Sequence, residues 1–354
     1  MMIQPLNTSD KITPACSVFG QCGGCSYQDM PYTSELHLKQ EQLKNLFADH
    51  LPAASSLIEP IVASPQEYHY RHRLDMKLIR TRTKEVFMGF SPVDNKRLIE
   101  IDSCPIARKE VSDFLPQLKI EAQARLTDKY REANLVVRTS DDSKVLWGGV
   151  GRRSLQLAEQ DYLWTQIKDK KIFFSLDTFF QANLFILPKL FERLEELACW
   201  DLSASFYDLY GGVGLFAIGL QHRVAQVFLI EEHHAALKLA RYNIEHQPLK
   251  NIHIINGRVE DKLADTLAKD LNSFKVAMID PPRAGLSPSA VDLLKKTKAF
   301  NHLLYLSCNP ETQVRDLKEF VKEGWKIKKV IPFDFFPRTK HLETLVLLNH
   351  TPGV

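Results

Sequence analysis

The sequence predicts an α/β protein whose carboxyl-terminal half forms a doubly wound sheet. After about residue 175, short apolar segments alternate with helical patterns, which is typical of parallel βαβ units. The glycine-rich segment GGVG directly follows the first of these apolar segments, as in a loop that turns from a strand into a helix. From about residue 58 to 160 the apolar residues recur with a period of two instead, which indicates a small antiparallel sheet.

The amino-terminal segment is predicted to form a loop followed by one helix. Residues 14 to 30 are rich in Cys and Gly and have neither a helical nor a strand period, so we expect a loop wrapped around a bound group. Pro31 and Ser34 can begin a helix, and apolar residues recur at helical spacing from Leu36 to Phe47. The helix should end before Pro52.

The middle segment is predicted to form antiparallel strands. In its first strand a mostly apolar face alternates with a basic face: Tyr70, His72, Leu74, Met76 and Leu78 against Arg71, Arg73, Asp75 and Lys77. Further strands are predicted at Glu85 to Phe90, Asn134 to Arg138, Lys144 to Trp147 and Ser154 to Leu157.

Seven strands are predicted in the carboxyl-terminal segment: Ser205 to Leu209, Gln226 to Ile230, Asn251 to Ile255, Lys275 to Ile279, His302 to Leu306, Lys326 to Ile331 and Thr344 to Leu348. The last two are joined by a hairpin-like loop, which predicts an antiparallel element at one edge of the sheet. The chain is therefore divided into residues 1 to 57, 58 to 174 and 175 to 354.

Composition restricts the class of protein. Hydrophobic residues make up 44% of the 354 residues, which suits a chain that buries sizeable cores. No run of about 18 apolar residues occurs and no signal peptide begins the chain, so we expect a cytoplasmic protein without membrane spans. The net charge of +3 is too small to indicate a nucleic-acid partner by itself. Any such partner must be argued from local clusters of charge.

The residues that follow the predicted strands are those of a ligand site, because ligands of open α/β sheets bind at the carboxyl ends of the strands. They include Asp208 and Tyr210 before the glycines, Glu231, Asp280 in DPPR and Cys308 in SCNP. An acidic residue about 20 positions after such a glycine loop can hold ribose hydroxyls, which is the role expected for Glu231. The same glycines also satisfy a loose dinucleotide pattern, so an iron-sulfur oxidoreductase remains an alternative.

The DPPR and SCNP segments favour methyl transfer from S-adenosylmethionine over dinucleotide chemistry. Methylases of exocyclic amines commonly carry an aromatic residue where this chain has Arg283, whereas carbon 5 of a pyrimidine needs a thiolate added at carbon 6 before it becomes nucleophilic. Cys308 is predicted to be that nucleophile. A general base must then remove the carbon 5 proton. If the final strand is antiparallel, its first residues lie at the same edge, which predicts Glu343 as the base.

Four cysteines form a separate candidate metal site. Cys16, Cys22 and Cys25 lie within ten positions, and Cys104 is followed directly by proline. Four thiolates suit either tetrahedral zinc or a four-iron cluster. The arrangement of three cysteines plus a distant fourth before proline favours the cluster, with zinc as the alternative.

A basic strand is the candidate RNA contact. Residues 68 to 84 contain six Lys and Arg and one acid, Asp75. A basic strand face is typical of contact with phosphates, and Arg71, Arg73 and Arg80 are the predicted contacts.

The sequence resembles the RNA uracil-5-methyltransferase family, which makes 5-methyluridine in tRNA and 23S rRNA. The resemblance rests on CSVFGQCGGCSYQ, YRHR, FFQAN, DLYGGVG, DPPRAGL, SCNP and FPRTKHLE, in this order. It implies a Rossmann-like class I methyltransferase domain, an iron-sulfur loop and a small β module that contacts RNA. The chain is similar to the shorter rRNA-modifying members that have no amino-terminal RNA-binding barrel, which implies 23S rRNA as the substrate and tRNA as the alternative. We also expect a monomer.

The resemblance further implies roles for particular residues. A [4Fe-4S] cluster would be held by Cys16, Cys22, Cys25 and Cys104, and S-adenosylmethionine by Gln181, Tyr210, Glu231 and Asp280. It implies Cys308 as nucleophile and Glu343 as base, in agreement with the chemical argument. The chain departs from the family at Gly211, where many members carry Cys or Ser, and at Arg338, where many carry His.

Overall fold

The computed structural model describes residues 11–90, 98–125, 131–150, 161–197 and 199–350. The strand predicted at residues 154 to 157 lies outside these ranges. None of the helices among the described residues combines the length and the apolar character that a membrane crossing requires.

The helix predicted after the cysteine-rich loop is present. Helix α1 (Tyr32–His50) begins directly after Pro31 and ends at Leu51, and the short helix α2 (Pro52–Ser55) follows. Glu35, Lys39, Leu43 and Phe47 form its buried face at intervals of four residues, which is the spacing of one helix stripe. Two of these four are charged, so their burial needs partners.

The middle segment forms a five-stranded antiparallel sheet in the order β3-β2-β1-β4-β5. Its strands are β1 (Arg73–Arg80), β2 (Val86–Phe90), β3 (Ile99–Glu100), β4 (Glu132–Thr139) and β5 (Val145–Val150). Helix α3 (Lys109–Arg125) covers this sheet and was not predicted. Its buried Val111, Leu115 and Leu118 have helical spacing, but Pro116 lies inside the helix and conceals the pattern, because proline usually ends a helix.

A hairpin of β6 (Leu163–Ile167) and β7 (Lys170–Phe174) follows and was also not predicted. Leu163, Ile172 and Phe174 belong to the hydrophobic core of the carboxyl-terminal sheet rather than to that of the middle sheet.

The carboxyl-terminal segment forms the predicted seven-stranded sheet, in the order β10-β9-β8-β11-β12-β14-β13. Its strands are β8 (Ser205–Leu209), β9 (Gln226–Glu231), β10 (Ile252–Asn256), β11 (Lys275–Ile279), β12 (His302–Ser307), β13 (Trp325–Phe333) and β14 (Glu343–His350). The helices are α4 (Leu187–Glu196), α5 (Leu215–Leu220), α6 (His234–Glu245), α7 (Val259–Lys269), α8 (Pro288–Lys296) and α9 (Pro310–Lys322). Strand β14 is antiparallel to both β12 and β13, which confirms the predicted antiparallel element.

Two cores cover the faces of this sheet. One contains the β6–β7 hairpin together with α4 and α5, and the other contains Leu43 and Phe47 of α1. Ile58 and Val62 form bridges with Val330 and Phe333 of β13, so the segment after α2 runs along the outer edge of the sheet. The division at residues 57 and 174 stays a prediction.

A buried ionic junction joins α1 to the loop between β13 and β14. Lys39 Nζ lies 2.7 Å from Glu35 Oε1 and 2.7 Å from Asp334 Oδ1, and all three side chains are buried. Tyr32 donates its hydroxyl hydrogen to Asp334 Oδ2 at 2.8 Å. The junction compensates the charges on the inner face of α1, because a buried ion is tolerated only when it is paired and hydrogen-bonded.

Arg338 extends this junction to the cysteine-rich loop. Its backbone N–H donates to Glu35 Oε1 at 2.8 Å, and its guanidinium donates to the carbonyl of Met30 at 2.8 Å. The guanidinium also pairs with Glu67 and lies 4.9 Å from the ring centre of Tyr68. The arginine at this position therefore fastens the β13–β14 loop to the amino-terminal segment.

Replacing Lys39 with methionine should lower the free energy of unfolding by about 3 to 5 kcal/mol, because it leaves two buried carboxylates without their cation. Lys44→Met on the same helix is the matched control: Lys44 pairs with Glu41 but both are exposed, so its effect should stay within about 1 kcal/mol. Urea unfolding followed by tryptophan fluorescence measures both. Equal effects of the two substitutions would show that the junction does not stabilise the fold.

Candidate active site

The glycine loop after β8 has the backbone of a ligand-binding turn. Tyr210 (φ +64°), Gly212 (φ +55°) and Gly214 (φ +92°) all have left-handed conformations, which cost a tyrosine more than a glycine. Gly214 is the residue that precedes α5. A Cβ atom on Gly211 would lie 2.6 Å from Cγ of Leu229, so a side chain at this position would require Leu229 to shift.

Glu231, at the end of β9, is fixed against that loop. One of its carboxylate oxygens accepts a hydrogen bond from the backbone N–H of Gly212 at 2.9 Å, and the other accepts from His233 N–H at 2.7 Å. The carboxylate is thereby held beside the loop, where a ribose hydroxyl could also donate to it.

Asp280 and Gln181 meet on the other side of the loop. Gln181 Nε2 donates to Asp280 Oδ2 at 2.9 Å. The backbone carbonyl of Gln181 is in turn 2.8 Å from Nε2 of His72, a fully buried residue that also contacts the carbonyl of Thr139 at the end of β4. Burial and the charge of Arg138 lower the pKa of His72 well below its usual value, whereas the contacts with the carbonyls of Thr139 and Gln181 raise it. His72 therefore links the middle sheet to Gln181.

Cys308 and Glu343 are neighbours across two strands. Cys308 directly follows β12, Glu343 begins β14, and the register pairs Ser307 with Thr344. Since β14 is antiparallel, its first residue lies at the edge where the parallel strands end. The side chain of Glu343 is 2% exposed, whereas Cys308 is partly exposed.

Carboxyl groups dominate the electrostatics of this edge. Burial raises the pKa of Asp208 to about 8, and the charges of Asp280 and Glu231 add to the increase. The hydrogen bond from Ala217 N–H lowers this pKa but does not offset the effect of burial. Burial also raises the pKa of Asp280 to about 7. Burial and the charge of Asp280 raise the pKa of Glu343 well above its ordinary value. A cationic ligand suits such a site, and an anionic one does not.

Arg283 is the cation whose charge acts on both Cys308 and Glu343. Burial, followed by the charges of Glu343 and Asp280, raises the pKa of the Cys308 thiol to about 11, whereas the charge of Arg283 and its hydrogen bond to the thiol lower it. Arg283 also lies 3.0 Å from Nδ1 of His341. Burial and Arg283 lower the pKa of His341 to about 4, so its ring is neutral at neutral pH.

A cavity of about 730 Å³, here named the α1 groove, opens beside Cys308. It is lined by Tyr27, by Lys39, Gln42, Leu43 and Leu46 of α1, by Arg283, by residues 308–311 and by residues 340–342. The predicted cofactor residues do not line it. Cys308 therefore lies between this groove and the residues predicted to hold the cofactor.

The four predicted metal ligands surround a second cavity of about 350 Å³. Cys16, Cys22, Cys25 and Cys104 all line it, and all four thiols are free of disulfides. Among the residues that the structure describes, no three Cys, His, Asp or Glu side chains are close enough together to bind a metal ion.

Hydrogen-bond donors are directed at these thiols. Burial raises the pKa of Cys104, and the backbone N–H groups of Ala107 and Ile106 lower it. Burial raises the pKa of Cys25 to about 12, and the Gln28 side chain opposes this increase. Donors around a thiolate are typical of iron-sulfur sites, so the residues present are compatible with a cluster.

The three arginines predicted to contact RNA do not share one surface. Arg73 pairs with Asp75 at 2.6 Å, and Arg71 lines the cysteine cavity. Arg80 is only 8% exposed, and the prediction that it lies on the basic face is wrong. Side chains alternate along a strand, and Arg80 has the same parity as the buried Leu74, Met76 and Leu78 of β1.

Sequence analysis gave no role to Arg283, Lys340 or His341, which the structure places at or beside Cys308. DPPR and FPRTKHLE contain these residues, so the motifs were recognised. Their convergence could not be seen, because it depends on the β13–β14 loop approaching the loop after β11.

Comparison with known proteins identifies related sequences. A sequence model of the family described as tRNA (uracil-5-)-methyltransferase matches residues 123–351. An uncharacterized RNA methyltransferase of Staphylococcus epidermidis is 26% identical over 387 residues, which cover 96% of this chain and 84% of the relative. A similar protein of Staphylococcus aureus is 25% identical, and the alignment covers 97% of this chain and 85% of that protein.

One solved structure has a similar fold along most of the chain. The tRNA (uracil-54, C5)-methyltransferase of Pyrococcus abyssi, in complex with S-adenosyl-L-homocysteine, superposes with a TM-score of 0.71 at 22% identity, and the match covers 92% of this chain and 86% of that one. At this identity the similarity establishes the fold, which is that of a class I methyltransferase with a mixed α/β sheet.

Substitutions of Arg283 and Glu343 should shift the ionisation of Cys308 in opposite directions. Arg283→Gln removes a charge and a hydrogen bond that lower the thiol pKa, so alkylation of Cys308 by iodoacetamide should need a higher pH. Glu343→Gln removes a charge that raises this pKa, so alkylation should begin at a lower pH. The rate for the Cys308 peptide is measured by mass spectrometry against pH.

The buried Cys199 thiol is the internal reference for this experiment. It lies in the core around α4, and its alkylation profile should be the same in all three proteins. Shifts of Cys308 in the same direction for both variants would contradict the proposed electrostatic arrangement.

Proposed function

The chain belongs to the tRNA (uracil-5-)-methyltransferase family and is an RNA uracil-5-methyltransferase, and we propose that it methylates carbon 5 of one uridine through Cys308 and Glu343. The observation that carries this proposal is the position of Glu343 beside Cys308, at the strand edge that also holds Gln181, Tyr210, Glu231 and Asp280. Nucleophile, base and cofactor residues therefore lie at one edge of the sheet.

Acidity of the site supports S-adenosylmethionine as the cofactor. Asp208, Asp280 and Glu343 are buried carboxyl groups with raised pKa values near the glycine loop, so a cation bound beside them would be stabilised by their ionised forms. The Gly212 N–H is already bonded to Glu231. A pyrophosphate needs free backbone donors and positive potential at such a loop, so the alternative of a dinucleotide oxidoreductase is disfavoured. S-adenosylmethionine carries a sulfonium and an amino group, and supplies the methyl group. Glu231 would accept hydrogen bonds from its ribose.

The chain's own residues carry the remaining steps. Cys308 adds as a thiolate to carbon 6 of the uracil, and the electron pair of the carbon 5–carbon 6 double bond moves to carbon 5. Carbon 5 then bonds to the methyl carbon while the bond from that carbon to the sulfonium sulfur breaks, so that a neutral thioether would be the leaving group. Glu343 removes the proton from carbon 5, the carbon 5–carbon 6 double bond forms again, and Cys308 leaves as a thiolate. Arg283 stabilises the thiolate at the beginning and at the end of this sequence.

For the RNA substrate, 23S rRNA is the first candidate and tRNA the second. The resemblance to the shorter rRNA-modifying members favours 23S rRNA, whereas the family description and the fold relative from Pyrococcus abyssi both name tRNA. Mapping 5-methyluridine by mass spectrometry in rRNA and tRNA from cells with and without the gene distinguishes them. We further propose that the protein acts as a monomer.

We propose that the cysteine cavity holds a [4Fe-4S] cluster with a structural role. Support comes from four free thiols that line one cavity, and from the N–H donors at Cys104. No step of the methyl transfer needs an electron. The cavity wall includes Leu74 of β1 and Pro105 as well as the amino-terminal loop, so a bound cluster would join these segments.

Cys308→Ala should abolish methylation while leaving S-adenosylmethionine affinity unchanged, because the thiol acts on the base. Glu343→Gln should still transfer one methyl group but release no product, so a covalent RNA–protein adduct should accumulate and survive denaturing electrophoresis. Tritiated S-adenosylmethionine and RNA from a strain without 5-methyluridine provide the assay, and Cys199→Ala is the control. Full turnover by either active-site variant would refute the assigned roles.

Protein purified without oxygen should be brown and contain about four irons per chain. Cys104→Ser should lower the iron content, because it removes one of the four thiolates, whereas Cys199→Ser in the distant core should not. Metal analysis and absorption spectra measure both. Stoichiometric zinc in the wild-type protein would exclude the cluster.

A further inference from the structure

The α1 groove extends from Cys308 along helix α1, where none of the predicted cofactor residues lies. We propose that it is the docking site for the unpaired nucleotides next to the target uridine, with Lys340 and Gln42 as contacts. This inference rests on the proposed function, because it assumes that the uracil reaches Cys308.

The first argument is position. Cys308 lines the groove, but Gln181, Tyr210, Glu231 and Asp280 do not. A substrate that reaches Cys308 through the groove therefore approaches the thiol without passing through the predicted cofactor site. Gln42 and Leu46 belong to α1, so the groove continues from the thiol onto that helix.

The second argument is charge. The charged side chains of the lining are Arg283, Lys340, Lys39 and one acid, Glu311, whereas His341 is neutral. The charge of Lys39 is compensated by Glu35 and Asp334. Lys340 is exposed, and the described residues offer it no ion pair. Arg283 faces Glu343, so Lys340 is the cation of the lining that is left to meet a phosphate of a polynucleotide.

The third argument is rigidity. Lys39 Nζ also donates to the carbonyl of Phe336 at 3.1 Å, and the Arg338 N–H donates to Glu35 of α1. These bonds connect the wall formed by α1 to the loop that carries Lys340 and His341. The spacing of the walls is thus set before RNA binds, and a preorganised site loses less free energy on ordering.

Shape decides which form of RNA can enter. The uracil must be unpaired to expose carbon 6 to a thiol, and a space of about 730 Å³ accommodates single nucleotides but not a duplex. Tyr27 and His341 contribute rings, and Leu46 an apolar side chain, to the lining. Bases of an unpaired strand stack on such surfaces without strict sequence preference.

The strand face at Arg71 and Arg73 fits this role less well. Arg73 is neutralised by Asp75, and Arg71 points its Nε to the carbonyl of Arg73 at 3.1 Å. Neither residue lines the α1 groove. They stay predicted contacts for phosphates farther from the target.

Two pairs of matched variants test the proposal. In the first pair, Lys340→Ala removes a positive charge from the groove, and its control Lys44→Ala removes one from the exposed side of α1. In the second pair, Gln42→Glu adds a negative charge to the groove, and its control Asn45→Asp adds one at an exposed position of the same helix. The probe is a fluorescent oligouridylate, with anisotropy measured at several salt concentrations. Lys340→Ala should weaken binding about 3- to 10-fold and lower the salt slope by about one.

Gln42→Glu should weaken binding similarly, and both control variants should bind as the wild type does. The KM for RNA lacking 5-methyluridine should rise in the two groove variants, with unchanged affinity for S-adenosylmethionine. A photo-crosslink from 4-thiouridine in the oligouridylate should map to Tyr27, to α1 or to residues 340–342.

Wild-type affinity and KM in both groove variants would overturn the proposal, as would crosslinks confined to residues 71–77. Equal binding of a duplex of the same length would also overturn it. In each of these cases methyl transfer by the wild-type protein would leave the proposed function intact. Absence of methyl transfer to any RNA by wild-type protein would instead refute the proposed function.

Discussion

The insertion of β14 between β12 and β13 is the constraint on which the site depends. Every other strand of the seven-stranded sheet runs in one direction, so their ends bring loops to one edge. Because β14 is antiparallel, that edge also receives its first residue, Glu343, directly across from the end of β12. The β13–β14 loop then crosses the same edge, and it brings Lys340 and His341 to the cavity beside Cys308.

Burial gives the paired groups their chemistry and also demands compensation. An ionised carboxyl group loses hydration when it is buried, so Glu343 and Asp280 hold protons more tightly than exposed acids, and the thiol of Cys308 between them resists ionisation. Arg283 alone opposes this effect among the described cations at the thiol. A cationic cofactor beside Asp280 would also lower the pKa of the Cys308 thiol. Binding of the cofactor would then favour ionisation of the nucleophile.

The amino-terminal segment contributes to the site although it supplies no residue to the chemical steps. Lys39 and Arg338 join α1 and the cysteine-rich loop to the β13–β14 loop through buried bonds. Ser26 and Tyr27 donate their N–H groups to the carbonyl of Arg338 at 2.8 and 3.1 Å. The cysteine-rich loop is thereby bonded directly to the β13–β14 loop, whose residues 340–342 line the α1 groove.

The sequence by itself determined the strands of the carboxyl-terminal sheet and the residues at the strand ends, because these depend on local periodicity and on the rule that ligands bind at carboxyl edges. It predicted an antiparallel terminal pair, but only the structure decided that β14 lies between β12 and β13. The sequence did not reveal α3, whose period is interrupted by Pro116, or the exclusion of Arg80 from the basic face. Only the tertiary structure decided that Arg283 and His341 meet at Cys308, that Lys39 is a buried partner of Asp334, and that α1 forms one wall of the groove. These contacts join residues up to 295 positions apart in the sequence. A pattern of local spacing cannot show which distant charged side chains will be buried together and must therefore neutralise each other.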